Sequence, residues 1–384
     1  MPINVLVVFG TRPEAIKMAP LCHALEKNSD FFNTTICVTG QHREMLDQVL
    51  NIFSISPHVD LSIMKKGQDL TDITSSILLK MRDVISQYKP DLILVHGDTT
   101  TTIATSMAAF YAKIQVAHIE AGLRTYDMSA PFPEEFNRQI TSKISNWHFA
   151  PTKLSKMNLI NEGVENESIE ITGNTVIDAL FWVIERLEHD SDRRNSVVAF
   201  ISNKLNFDWI NSKYILITGH RRENFGEGFI NICEAISNLA AKYKDINFVY
   251  PVHLNPNVQD PVNLLLSKHS NIYLIEPLEY EPFLYLLKHS YLVLTDSGGI
   301  QEEAPSLGKP VLVMRDVTER PEAVEAGTVK LVGANKDKII KEVSELIDSS
   351  EKYKNMSLAH NPYGDGKASV KIVNFLKKVF HEKL

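Results

Sequence analysis

Cysteine is scarce in this chain. Among 384 residues only Cys22, Cys37 and Cys233 carry a thiol, and none has C-x-x-C spacing. A disulfide framework is therefore not expected, and a reducing compartment fits best. Positive charge is not in excess either, with 40 Lys and Arg against 47 Asp and Glu and a net charge of −7. That balance argues against a nucleic-acid partner held on a broad basic face, although local basic groups can still bind a small anion. No apolar run approaches the ~20 residues of a membrane span. The opening MPINVLVVFG has neither a basic leader nor a cleavage site and reads as a buried strand, so a cytoplasmic protein without membrane contact is expected. There is no G-x-G-x-x-G fingerprint, no H-E-x-x-H, and no P-C-x-x-C to follow the His118-x-Glu120 pair, and the 13 histidines show no metal-ligand spacing. Neither a metal nor a cofactor is expected.

What is present is an alternation of short apolar runs with longer helical patterns. Ile3–Phe9, Thr35–Thr39, Leu92–His96 and Val116–Ile119 read as strands, with a helix from Arg12 to Lys27 and further helices between them. From about residue 173 the rhythm restarts, with strands at Tyr214–Thr218, Phe248–Pro251, Ile272–Ile275, Leu292–Thr295 and Val311–Met314. The polar stretch Glu188–Asn195 reads as a loop between helices. The pattern predicts an α/β protein of two Rossmann-like doubly wound domains facing a cleft, with ligands beyond the carboxyl ends of the strands.

The candidate chemistry lies at those ends. In VVFGTRPEAIKMAP, Thr11 and Glu14 have capping-box spacing and Pro13 suits a first helical turn. Arg12 and Lys17 then fall near a helix N-terminus, which favours anions; the alternative is a plain turn with solvated basic residues. In LTDSGGIQEEAPSLGKP, the small residues Ser297, Gly298 and Gly299 open a helix and let backbone N–H groups close on a phosphate. Glu302 and Glu303 follow one turn later, where a carboxylate can accept from ribose hydroxyls; a capped structural helix is the alternative. Asp98 in VHGDTTTT either points into the cleft or caps the Thr-rich helix. His220, Arg221 and Arg222 in ITGHRRENFGEG suit a pyrophosphate or form a basic surface turn. The loop HIEAGLRTYDMSAPFPEE gathers Glu120, Asp127, Glu134 and Glu135.

Taken in order, FGTRPEAIKMAP, QHREMLDQVL, LVHGDTTTT, HIEAGLRT, PFPEEFNRQ, TGNTVIDAL, TGHRREN, YPVHLNPNV, TDSGGIQEEAPSLGKPVLV and TERPEA closely resemble the non-hydrolysing UDP-N-acetylglucosamine 2-epimerases, from the first strand to NPYGDG near residue 366. The resemblance implies the fold of the GT-B glycosyltransferases. Its domains would be 1–172 and 173–367, with a last helix at about 368–384 crossing back to the first. It implies a homodimer acting on UDP-N-acetylglucosamine and UDP-N-acetylmannosamine in the service of surface polysaccharide. The implied route is anti elimination of UDP to 2-acetamidoglucal and re-addition, which needs acid/base groups on two faces and stabilisation of the leaving phosphate.

Carried over by residue, Asp98, Glu120 and Glu134 match the catalytic carboxylates, and His220 matches the histidine at the departing phosphate. Arg12, Lys17 and Arg320 match substrate-contacting basic residues. Ser297, Gly298 and Gly299 match the phosphate cradle, Glu303 the ribose contact, and Phe283 the uridine pocket. Leu278 stands where some members have Gln. Gln41, His42, Gln68, Arg221 and His253 match positions of a second, allosteric nucleotide-sugar site, with Gly67 where some relatives carry Arg. Asp127 and Glu135 match no catalytic position and read as solvated charges. A hydrolysing epimerase, a GT-B glycosyltransferase and a non-catalytic nucleotide-sugar sensor are the competing readings.

Overall fold

The structure, a computed structural model, describes residues 2–40 and 43–381, with only the backbone of Arg43 and Glu44 included. Gln41 and His42 lie outside the described residues. The chain divides into two compact units, Met1–Trp182 with Tyr363–Leu384, and Val183–Pro362.

The first unit holds a seven-stranded sheet. Its strands are β1 (Ile3–Phe9), β2 (Phe32–Val38), β3 (Val59–Asp60), β4 (Leu92–His96), β5 (Gln115–Ile119), β6 (Trp147–Ala150) and β7 (Ile169–Ile171). They run parallel in the order β3-β2-β1-β4-β5-β6-β7. β1 and β4 are near-continuous apolar runs because helices cover both faces of the sheet. The second unit repeats the plan with β8 (Tyr214–Thr218), β9 (Asn247–Pro251), β10 (Ile272–Ile275), β11 (Leu292–Thr295), β12 (Val311–Val313) and β13 (Val329–Leu331), parallel in the order β10-β9-β8-β11-β12-β13. Phe229, Phe248, Tyr250, Ile232 and Leu294 anchor its core.

Four short strands are not among those expected from the sequence: β3 (VD), β6 (WHFA), β7 (IEI) and β13 (VKL). All are short and lie at or next to a sheet edge. The expected loop Glu188–Asn195 is instead the junction of two helices, Thr175–His189 and Ser191–Ser202. Asp190 alone separates them, its side chain accepting from the Arg193 N–H as an N-cap. The polar residues there are partnered across the helix surface: Arg193 donates to Glu281, and Lys288 pairs with Glu188.

The first unit runs past residue 172 because the early turns of helix Thr175–His189 pack on it, with Trp182 stacked on His23 and tilted against Phe53 (ring centroids 5.5 and 4.8 Å). The last helix, Ala368–His381, also belongs to this unit. Asp178 caps it, accepting from the N–H groups of Ala368 (3.1 Å) and Ser369 (2.7 Å). Phe375 meets Trp147 and Phe149 edge-on (centroids 5.6 and 5.4 Å). Among the described residues no helix is long and apolar enough to cross a membrane.

Candidate active site

In each sheet the strand order reverses between two central neighbours, β1 with β4 and β8 with β11. At such a point adjacent connections leave in opposite directions and open a crevice beyond the carboxyl ends. Both reversals carry chemistry.

In the first unit the turn after β1 enters helix Arg12–Glu26 through the expected capping box. Its acid, Glu14, does more than cap. Buried, it accepts from the N–H groups of Gly10 (3.0 Å) and Thr11 (2.8 Å), while its other oxygen accepts from the Thr99 hydroxyl (2.7 Å) in the turn after β4. Gly10 must be glycine: a Cβ there would stand 2.0 Å from the Thr39 hydroxyl and 2.5 Å from that of Thr101. The helix then presents Lys17, which pairs with Glu120 after β5.

Glu120 has a left-handed backbone, φ +62°, uncommon for any residue but glycine and strained for a glutamate. Its neighbours hold it there. Besides Lys17, Asn174 donates to its carboxylate at 2.9 Å and the His96 Nε2 lies 3.6 Å away. Burial opposes ionisation of this acid, but the Lys17 ammonium and the His96 ring outweigh it and keep Glu120 well below the usual carboxylate range.

Asp98 follows β4 and does not cap the next helix; Thr99 does. The acid is therefore left for another duty. Its side chain is 29% exposed and otherwise surrounded by protein. Burial pushes its carboxyl up to about 6, helped by the nearby negative charges of Glu120 and Glu134 and opposed by Arg138 and Lys17. Arg138 lies 3.5 Å from it, and Asn137 donates to its backbone carbonyl at 2.8 Å. Both come from helix Glu134–Ile144, whose first residue is the half-buried Glu134. Behind these groups, His118 Nε2 donates to the Gly97 carbonyl at 2.6 Å, and burial lowers His118 to about 3, so the ring is neutral and holds the turn before Asp98.

Glu135 is not a solvated charge. It is fully buried and accepts from the N–H groups of Thr125 and Tyr126 (both 3.0 Å) and from Gln139 (2.7 Å), with Arg138 alongside. It clamps the loop that leads from Glu120 to Glu134. Asp127 is exposed, and its side chain accepts from the Ser129 N–H.

The second unit gathers different groups. His220 and Arg221 follow β8, and Asp296, Ser297, Gly298 and Gly299 follow β11. The threonines that end these strands, Thr218 and Thr295, share a hydrogen bond at 2.6 Å. Gly298 is buried under Arg320: a Cβ on it would come 3.2 Å from the guanidinium. Arg320 in turn donates to Glu302 at 2.8 Å, so this acid is committed to an ion pair, whereas Glu303 accepts from the Tyr280 hydroxyl at 3.0 Å. The His220 and His253 rings stack at 4.9 Å with an interplanar angle of 10°. Phe283 lies half-buried on helix Tyr280–His289. Gln68 lies in the first unit, its side-chain oxygen accepting from the Lys65 N–H. Arg12 is half-buried at the start of its helix.

His96, Asn174, Arg138 and Asp296 are further members of these clusters that the sequence does not announce. His96 and Asn174 stand beside Glu120 and Asp296 beside His220, all in strand-end segments, but these partners are distant in sequence. Among the described residues, no group of three or more His, Cys, Asp or Glu side chains is arranged to hold a metal ion.

Two parallel sheets with flanking helices, each reversing its strand order at the centre, define a protein of the GT-B type. The chain matches the UDP-N-acetylglucosamine 2-epimerase family over residues 23–377. It is 60% identical over 375 residues to the UDP-N-acetylglucosamine 2-epimerase of Campylobacter jejuni, covering 98% of this chain and 97% of that protein. The Escherichia coli (strain K12) enzyme of the same name is 57% identical over 377 residues, 98% of each chain. The crystal structure of the Neisseria meningitidis UDP-GlcNAc 2-epimerase bound to UDP-GlcNAc superimposes with a TM-score of 0.88 at 55% identity, covering 98% of this chain and 100% of that one. The chain belongs to the UDP-N-acetylglucosamine 2-epimerase family.

Proposed function

We propose that this protein reversibly epimerises UDP-N-acetylglucosamine to UDP-N-acetylmannosamine without net hydrolysis, and needs no cofactor. The observation that carries the reading is the carboxylate cluster of the first unit: Glu120 kept ionised against Lys17, and Asp98 raised to about 6 beside it. One acid fixed as a base and another poised near neutrality suit proton transfer at a carbon whose proton is only weakly acidic.

In the elimination step a carboxylate takes the C2 proton, the C2–H electron pair becomes the C1=C2 bond, and the C1–O bond breaks with its pair leaving on UDP. Re-addition returns UDP to C1 and a proton to the opposite face of C2. Asp98, Glu120 and Glu134 are the acid/base groups, and His220 serves the departing phosphate oxygen. Ser297, Gly298 and Gly299 with Arg320 hold the diphosphate, Glu303 the ribose, Phe283 the uracil, and Arg12 and Lys17 complete the anionic contacts. The protein acts as a cytoplasmic homodimer and supplies precursor for surface polysaccharide.

The test is turnover of UDP-N-acetylglucosamine in deuterated water, followed by NMR. Deuterium at C2 with UDP still attached is expected; epimerisation without exchange would overturn the route. Free N-acetylmannosamine would favour a hydrolysing enzyme, and sugar passed to an added acceptor a glycosyltransferase.

We infer from the family resemblance a second, allosteric nucleotide-sugar site next to the first, formed by Gln41, His42, Gln68, Arg221 and His253. The reverse reaction from UDP-N-acetylmannosamine alone should then be nearly silent until a trace of UDP-N-acetylglucosamine is added.

A further inference from the structure

Asp296, which follows β11, is fully buried. Its Oδ2 accepts from the backbone N–H groups of His220 (2.9 Å) and Arg221 (2.8 Å). Its Oδ1 is buried too, has no hydrogen-bond partner, and lies 4.0 Å from His220 Nδ1. A buried carboxylate oxygen left unpaired is costly and calls for an explanation. The ring it faces has room to move, since the His220 side chain is 49% exposed. A shift of about 1 Å would bring Nδ1–H into hydrogen-bond range, and contacts of this kind are often long before substrate binds.

We propose that Asp296 is a positioning residue for His220, accepting from Nδ1–H, fixing that tautomer and leaving Nε2 as the working nitrogen. This deepens the reading of His220 given above and rests on it. A carboxylate behind an imidazole both orients it and favours its cationic form. The other groups facing His220 do the opposite: burial, the stacked His253 and Arg221 all lower its proton affinity, and Asp296 alone raises it. The same carboxylate also fixes the ring's backbone through Oδ2, so the turn after β11 dictates where the side chain after β8 stands.

The bland alternative is that Asp296 only anchors the turn. Asp296→Asn separates the two, because the amide oxygen can keep both backbone N–H groups while its NH₂ faces Nδ1 and disfavours the Nδ1–H tautomer. The expected result is an unchanged melting temperature, a kcat lower by at least ~10²-fold, and a KM for UDP-N-acetylglucosamine within ~3-fold of the parent. The His220 titration, followed by NMR, should move to lower pH. Normal kcat in Asp296→Asn, with His220→Asn strongly impaired, would overturn the inference and leave the His220 role intact. Normal kcat in His220→Asn would instead remove the role on which the inference stands. Should the Asp296 variant fail to fold, the ¹⁵N spectrum of the unmodified protein decides: a neutral His220 protonated at Nδ1 is expected, and protonation at Nε2 refutes the proposal.

Discussion

The two units share a doubly wound plan and place their functional residues at the same topological position, yet the chemistry at the two reversals is opposite. After β1, β4 and β5 the first unit collects Glu14, Asp98 and Glu120, balanced by Lys17 and Arg138. After β8 and β11 the second collects His220, Arg221, a small-residue turn and Arg320, with Asp296 and Glu302 beneath. The fold fixes where a site can form. The side chains decide what charge and hydrogen bonding it offers.

If that division is real, substitutions in the two units should fail differently. The largest effect is expected at Asp98→Asn, Glu120→Gln and Glu134→Gln, each lowering kcat by at least ~10²-fold with the fold kept. Steady-state kinetics with an NMR product assay would show it, and near-normal kcat in any one removes that residue from the proton-transfer set. Next comes Gly298→Ala, whose methyl would crowd the Arg320 guanidinium from 3.2 Å. Here KM should rise about tenfold, the equivalent of 1.4 kcal/mol, with kcat little changed; a kcat defect would blur the comparison.

The pH dependence sharpens it. Because Asp98 must be ionised to accept a proton, kcat/KM should fall as pH drops through about 6. Removing the neighbouring cation in Arg138→Gln should move that limb to higher pH, since the guanidinium favours the charged acid. An unmoved limb would assign it to another group. The smallest effect concerns stability. Buried His118 and His148 are lowered to about 3 and about 4, below the value of 6.5 for a free ring. The unfolded chain therefore binds more protons between those values, so stability present above pH 6.5 is lost as pH falls toward 4 and then 3. Thermal melts should show this slope, and His118→Gln should reduce it.

Much of this was legible in the sequence. The spacing of Thr11 and Glu14 announces a capping box, and apolar runs such as LILVH and YILIT announce buried parallel strands. The second duty of Glu14 was not legible, because Thr99 is remote in sequence and only the adjacency of β1 and β4 brings it near. Glu135 was misread for a related reason: its partners are backbone N–H groups at Thr125 and Tyr126, and amide donors leave no trace in residue identity. A carboxylate after two prolines looks solvated until the loop is seen to fold back over it. β3, β6, β7 and β13 escaped because two to four residues cannot show a period.

The buried Glu14 carboxylate has a consequence for how such enzymes can be recombined. It ties the turn after β1 to the turn after β4, so the two are one mechanical part although some 85 residues of chain separate Glu14 from Thr99. A chimera that exchanges either turn alone between relatives inherits half of a joint. The segments 10–17 and 97–102 should therefore be transplanted together, and a crossover placed anywhere between them is safe only when both parents build the joint alike.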